Sequence, residues 1–185
     1  MRIISGTAGR MAIRVPGEVT RPTTDFVRQA LFSILGEKVE GARVADLFAG
    51  SGALGLEALS RGAASCEFVE QNRKAVGVIR SNLEKTRLSG GLVTASDVHP
   101  WAKRSAGGFD LVFADPPYAK SKLDRDHLAE LLGKPFAPFL ISEEGWWVVE
   151  QSADSEPPVS EGLELLERRV YGSSAILLYG RKAGI

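Results

Sequence analysis

Beginning at Val44, the chain changes its hydrophobic period at short, nearly regular intervals. "VADLF" (44–48), "CEFVE" (66–70), "LVTAS" (92–96) and "DLVFA" (110–114) are apolar runs of strand length. Between them lie stretches with helical character at 53–61, from about Arg73 to Leu88, and around Trp101. Alternation of this kind predicts a parallel sheet, because parallel neighbours need a long crossover, and crossover helices then cover both faces. Further on, "HLAELL" starts another helix, and "GWWVVEQ" (145–151) reads as a fifth strand. "ELLERRVYGSSAILLYGRK" reads as two strands about the turn Gly172–Ser174, so the alternating unit ends in an antiparallel hairpin. Upstream, "TDFVRQALFSILG" places Val27, Ala30, Leu31, Ile34 and Leu35 at helical spacing, with Thr24 as N-cap and Gly36 as stop.

A chain of 185 residues holds one sizeable core, and a second would be cramped, so residues 1–185 are read as a single domain. No apolar run approaches the ~20 residues of a membrane span, and "MRIISGTAGRMAIRV" lacks the apolar segment of a secretory signal. The expected location is the cytoplasm. Cys66 is a lone cysteine inside "CEFVE", suited to packing. His99 and His127 read as ordinary surface or satisfied residues, and no His/Cys cluster proposes a metal. The formal net charge is zero, yet residues 1–36 carry Arg2, Arg10, Arg14, Arg21 and Arg28 against only Glu18 and Asp25. In "RMAIRV", strand-like alternation would put Met11 and Ile13 on one face and Arg10, Ala12 and Arg14 on the other. Such a basic arm suits either a solvated edge or a nucleic-acid contact.

In open α/β sheets the chemistry gathers at the carboxyl ends of the strands, so four strand ends matter most. The first strand carries Asp46 and runs into Phe48, Ala49, Gly50, Ser51 and Gly52, within "GSGALG", which satisfies the dinucleotide fingerprint G-x-G-x-x-G. The glycines suit any ligand brought close to a helix N-terminus, and do not by themselves choose between NAD and another adenosine cofactor. The second strand ends in Glu70, 18 residues after Gly52, where a carboxylate accepts from ribose hydroxyls. The third is followed by Asp97, an acceptor for an adenine amine. The fourth ends in "ADPPY", and this last motif separates the alternatives.

Two consecutive prolines cannot continue a ladder, so Asp115, Pro116, Pro117 and Tyr118 form a stiff loop directly after a buried strand. An aspartate and a proline carbonyl held in fixed orientation are two acceptors able to grip one planar exocyclic amine, while Tyr118 offers a face for base stacking. A nicotinamide enzyme would instead need a hydride site and a proton donor at this strand end.

The combination "DLFAGSGALGLEAL", Glu70, Asp97 and "DPPY" resembles class I S-adenosylmethionine-dependent methyltransferases that act on amino groups. More narrowly, "MRIISGTAGR", "RPTTDFVRQALF" and "FAGSGALGLEALSRGA" are similar to the RsmD type, bacterial enzymes that methylate a guanine N2 amine in 16S ribosomal RNA. The resemblance implies a seven-stranded sheet of order 3-2-1-4-5-7-6 with strand 7 antiparallel, and an N-terminal basic hairpin over residues 1–20. It also implies S-adenosylmethionine as cofactor, with the Phe48–Gly52 loop and Asp46 at the methionine end, Glu70 at the ribose and Asp97 at the adenine. Asp115 through Tyr118 would hold the target amine. Thr23 and Arg28 become candidates for the cofactor carboxylate or RNA phosphates, and Arg2, Arg10 and Arg14 for the RNA. The implied partner is 16S RNA or the assembling 30S subunit, with no metal and no membrane. Related loops also serve DNA adenine and protein glutamine methylation, which stay open at this point.

Overall fold

The computed structural model describes residues 1–17, 24–117 and 126–185. Helix α1 (Asp25–Leu35) is followed by a 3₁₀ turn (Gly36–Val39), then β1 (Arg43–Leu47), α2 (Ala53–Ser60), β2 (Ser65–Glu70), α3 (Arg73–Thr86), β3 (Gly91–Ala95), α4 (Val98–Arg104) and β4 (Phe109–Ala114). The second half adds α5 (His127–Leu132), the short α6 (Ala137–Leu140), β5 (Ile141–Ser152), β6 (Leu163–Tyr171) and β7 (Ser174–Arg181). The strands form one sheet of order β3-β2-β1-β4-β5-β7-β6, as the resemblance implied. Strands β1 to β5 are mutually parallel where they pair, and β7 runs antiparallel to both β5 and β6.

Side chains of the central strands alternate between two cores, which is why their sequences are apolar throughout rather than at every second position. Val44, Leu111 and Phe113 face the core shared with α1, α2 and Ile79 of α3. Ala45, Leu47, Val112 and Ala114 face the opposite core with Trp101, Leu128 and Leu131 of α4 and α5. Thr24 caps α1 by accepting from the Val27 N–H, and Gly36 leaves the helix at φ +52°. Cys66 packs as expected: it is buried, and burial pushes its thiol pKa well up.

Two local expectations needed correction, and one short helix had not been expected. β1 ends at Leu47, and Phe48 is not its last residue but takes φ +57° to start the glycine loop. β5 begins at Ile141, ahead of the expected Gly145, because its pairing with β4 slips between Phe109 and Leu111 and lets Glu143 and Glu144 face solvent within the strand. The four-residue α6 has too few positions to show a helical period.

The amino-terminal segment folds back on itself, with an isolated antiparallel bridge between Arg2 and Ala12 and hydrogen bonds from Ile3 N to Met11 O and from Ile13 N to Met1 O. Ile3 and Ile13 are buried, while Arg2, Arg10 and Arg14 point outward, as the alternation requires. What docks this hairpin is polar. The Glu57 carboxylate of α2 accepts from Ile4 N at 2.7 Å and Ser5 N at 3.0 Å, and Ser60 meets Thr7 N and Ala8 N. Among the described residues no helix is long and apolar enough to cross a membrane.

Candidate active site

Strand register brings the four strand ends to one level. Leu47 of β1 pairs with Val69 of β2 and Ala114 of β4, and Glu70 pairs with Ala95 of β3. Phe48, Glu70, Ala95 and Asp115 therefore lie in one row, with Ser96 and Asp97 directly following Ala95. They open on a cleft of about 1170 Å³, large enough for a nucleoside cofactor and part of a second substrate. Asp46, Phe48, Ala49, Gly50, Ser51, Glu70, Asp97, Asp115, Pro116 and Pro117 all line it. Thr23 and Tyr118 lie outside the described residues.

Each acid is placed by the backbone around it. The Asp46 carboxylate accepts from Gly55 N at 2.9 Å, which joins the end of β1 to the first turn of α2. Glu70 spans the loops on either side, accepting from Gly50 N at 2.9 Å and from Asn72 N at 2.7 Å. Asp97 caps α4 by accepting from His99 N at 2.8 Å. Both Glu70 and Asp97 are thus held by N–H donors in orientations that leave lone pairs for a ligand.

The glycines of the fingerprint divide the work. Gly50 and Gly52 have φ of +55° and +76°, the left-handed conformation that lets the loop turn beneath a ligand. Gly52 does not line the cleft, contrary to its expected contact with the cofactor: a Cβ there would meet Phe68 and Ile79 at 3.2–3.3 Å, so its part is conformational. Gly55 lets α2 approach β2, since a Cβ would stand 2.3 Å from Phe68 and 2.5 Å from the Cys66 sulfur.

Arg28 does not fit an RNA or cofactor contact. Its side chain is fully buried, with Nη2 donating to the Arg2 carbonyl and, at 2.9 Å, to Asp25, and Nε lying 4.0 Å from Glu57. Burial lowers its pKa despite these two acids, and among the described residues Nε and Nη1 have no hydrogen-bond partner. The charge count over residues 1–36 and the family resemblance had made Arg28 a candidate ligand; the close approach of the hairpin to α2 sealed it inside. Arg2 and Arg10 are exposed and do not line the cleft, and Arg14 reaches its wall.

Two functional contributors were not legible in the sequence. Asn82 of α3 is buried; its amide donates to the carbonyls of Arg14 and Ser51 and accepts from Arg14 N, tying the hairpin to the glycine loop. His127 also lines the cleft, with its ring 5.2 Å from that of Phe48 and its Nδ1 3.2 Å from His99 Nε2, so it is a wall residue and not a surface one. Its position at the start of the first helix after the proline loop was the available signal.

Burial pushes the Asp46 carboxyl up to about 8, against the Gly55 N–H that favours ionisation, and the nearby charges of Asp115 and Glu70 push the same way. A cluster of inward-facing carboxylates that repel one another fits a ligand bearing positive charge, as the sulfonium and ammonium of S-adenosylmethionine do. The shift has a testable sign. Between the ordinary carboxyl pKa of 3.8 and about 8 the folded protein holds a proton that the unfolded chain has released, so stability of the ligand-free protein falls as pH rises across that window. Asp46→Asn keeps an acceptor for Gly55 N–H and is expected to flatten the melting temperature against pH; thermal denaturation of both proteins from pH 4 to 9 checks it.

The family model described as conserved hypothetical protein 95 matches residues 1–180. The chain belongs to that family, the RsmD family. Ribosomal RNA small subunit methyltransferase D of Escherichia coli K12 is 33% identical over 191 residues, covering 99% of this chain and 91% of that protein. YlbH of Bacillus subtilis 168 is 38% identical over 189 residues, covering 98% and 100%. Among solved structures, Escherichia coli yhhF superposes with a TM-score of 0.86 at 30% identity over 99% of this chain and 98% of that one. The Thermus thermophilus protein TTHA0928 gives 0.82 at 35% identity over 96% and 98%. The RsmD-family chain therefore has the methyltransferase fold of these relatives, with S-adenosylmethionine as its cofactor.

Proposed function

We propose that this RsmD-family protein transfers the methyl group of S-adenosylmethionine to the exocyclic N2 amine of a guanine in 16S ribosomal RNA, within the assembling small subunit in the cytoplasm. The observation that carries this reading is the alignment of Asp115-Pro116-Pro117 with Asp46, Glu70 and Asp97 around one cleft. The cofactor supplies an electrophilic methyl on a sulfonium. The Phe48–Ser51 loop and Asp46 hold its methionine end, Glu70 its ribose and Asp97 its adenine. Asp115 and the Pro116 carbonyl accept the two N–H bonds of the target amine. These bonds favour a tetrahedral nitrogen whose lone pair is no longer shared with the ring, so catalysis is mainly positioning and electrostatics. Tyr118 and Thr23 lie outside the described residues, and the family resemblance assigns them to stacking on the base and to the cofactor carboxylate or RNA phosphates. We read residues 1–20 as a basic extension of a single methyltransferase domain spanning 1–185.

Labelled cofactor offered with 30S subunits, naked 16S RNA and DNA from a strain lacking the gene tests the reading. N2-methylguanosine in the RNA after nucleoside analysis is the expected product. Label in adenine N6 of DNA or in protein overturns it.

Arg2, Arg10 and Arg14 contact phosphates in this reading. Their joint replacement by Ala should leave cofactor binding intact and weaken RNA binding. Each lost contact should reduce the slope of log K against log salt by ~0.7 to 0.9, or about two units for the three. An unaltered salt series would assign the arginines to solubility of an edge.

A further inference from the structure

One of the two phenylalanines of α1 is turned away from the core. Phe26 is 68% exposed, although a phenylalanine ordinarily gains about 1.5–3 kcal/mol by burial. Its described aromatic partner is Tyr171, edge to face at 6.0 Å between ring centroids. Tyr171 closes β6 beside the turn into β7, opposite Ser174, and Ser174 pairs with Ser152 at the end of β5. The pair therefore stands at the carboxyl end of the parallel strands, the edge on which the cleft opens. Val27, the next residue after Phe26, lines a small hollow together with Leu54 and Ala114; Leu54 also lines the cleft, and Ala114 immediately precedes Asp115.

Cationic groups continue this surface on both sides. The Arg2 side chain is 67% exposed, and its Nε lies 3.9 Å from the carboxylate of Asp25, the neighbour of Phe26. Arg169, one step along the same face of β6 from Tyr171, donates from Nε to Glu167 at 2.6 Å, and its side chain is about half exposed. An exposed phenylalanine backed edge to face by the partly buried Tyr171, with a guanidinium paired to an acid on either side and continuous with the basic hairpin, offers a ring on which a base can stack and cations that can meet phosphates.

We propose that Phe26 and Tyr171 form a stacking platform for an unpaired nucleotide of the RNA flanking the methylated guanine. The platform rests on the RNA methyltransferase reading above. It gives the RNA a second grip beside the cleft, and so helps decide which guanine is presented to Asp115.

The test measures dissociation constants of wild type, Phe26→Ala, Phe26→Leu, Phe26→Trp and Tyr171→Ala for protein-free 16S RNA and for S-adenosylmethionine, with methyl incorporation and melting temperature alongside. Loss of stacking should weaken RNA binding on the order of tenfold in Phe26→Ala, Phe26→Leu and Tyr171→Ala, the range seen when a stacked aromatic is truncated. Phe26→Trp should retain wild-type affinity, and cofactor affinity should not change in any variant. Equal affinity for RNA in Phe26→Leu and wild type overturns stacking, because leucine keeps the apolar area without the planar face. A defect seen with 30S subunits and absent with protein-free RNA also overturns it, in favour of a protein contact. Failure of wild type itself to methylate either 30S subunits or protein-free RNA would instead refute the function proposed for the cleft, and is distinguished by that control.

Discussion

Asp115→Ala is expected to reduce methyl transfer on the order of 10²- to 10³-fold, the range for removing one preorganised hydrogen-bonding group from a reacting centre, while cofactor affinity stays within a few-fold. The asymmetry follows from placement. Asp115 follows β4 directly and lines the cleft with the two prolines, whereas the contacts assigned to the cofactor come from β1, β2 and the start of α4. Removing its charge also relieves part of the field that holds the Asp46 carboxyl up, so the Asp46 pKa moves down in the variant. Equilibrium binding of S-adenosylmethionine and single-turnover methyl transfer measure the two effects separately. A fall in cofactor affinity by orders of magnitude would move Asp115 from the amine to the cofactor. Asp115→Asn refines the result: asparagine keeps an acceptor oxygen but takes no proton. Near-native turnover in that variant assigns orientation, and turnover like that of the alanine variant assigns proton acceptance.

Glu57→Ala should destabilise the protein by about 3–5 kcal/mol, the cost of leaving one member of a buried ion pair without its partner. Glu57 and Arg28 are both fully buried, and the Glu57 carboxylate also receives Arg61 Nε at 2.7 Å and two backbone N–H groups of the hairpin. Its removal leaves those donors unsatisfied and leaves Arg28 with Asp25 as its acid partner among the described residues. At roughly 2–4 °C per kcal/mol for a chain of this size, the melting temperature should drop by about 6–20 °C. Glu57→Gln, which keeps one acceptor, should fall between. Urea unfolding of the three proteins is the measurement, and a change under about 1 kcal/mol in Glu57→Ala would show that the hairpin is held by Ile3 and Ile13 burial rather than by the carboxylate. The arginines of the arm are separate from this network except through the Arg2 carbonyl, so the salt dependence of RNA binding and the stability of the fold should respond to different substitutions.

The order of elements, the direction of the strands and the row of acids at their ends are set by patterns a few residues long: apolar runs, helical spacing, and glycines or prolines where the chain must turn. These act locally, which is why "GSGALG", Glu70, Asp97 and "DPP" could be placed before any contact was known, and why Thr24 and Gly36 bound α1 as read. The proline loop added chemistry because its stiffness is intrinsic to the residues. Tertiary structure alone decided which side of the molecule each charge faces. Arg28 reads as one more cation of a basic arm, yet it is sealed in when the hairpin folds over α2, and its neighbours Arg2 and Asp25 remain at the surface. Glu57 and Asn82 look like ordinary polar helix residues, but they satisfy hairpin backbone groups more than fifty positions away in sequence. Local patterns depend on residues three or four apart, whereas burial of a charge depends on which distant segment covers it, and that is determined only when the whole chain has packed.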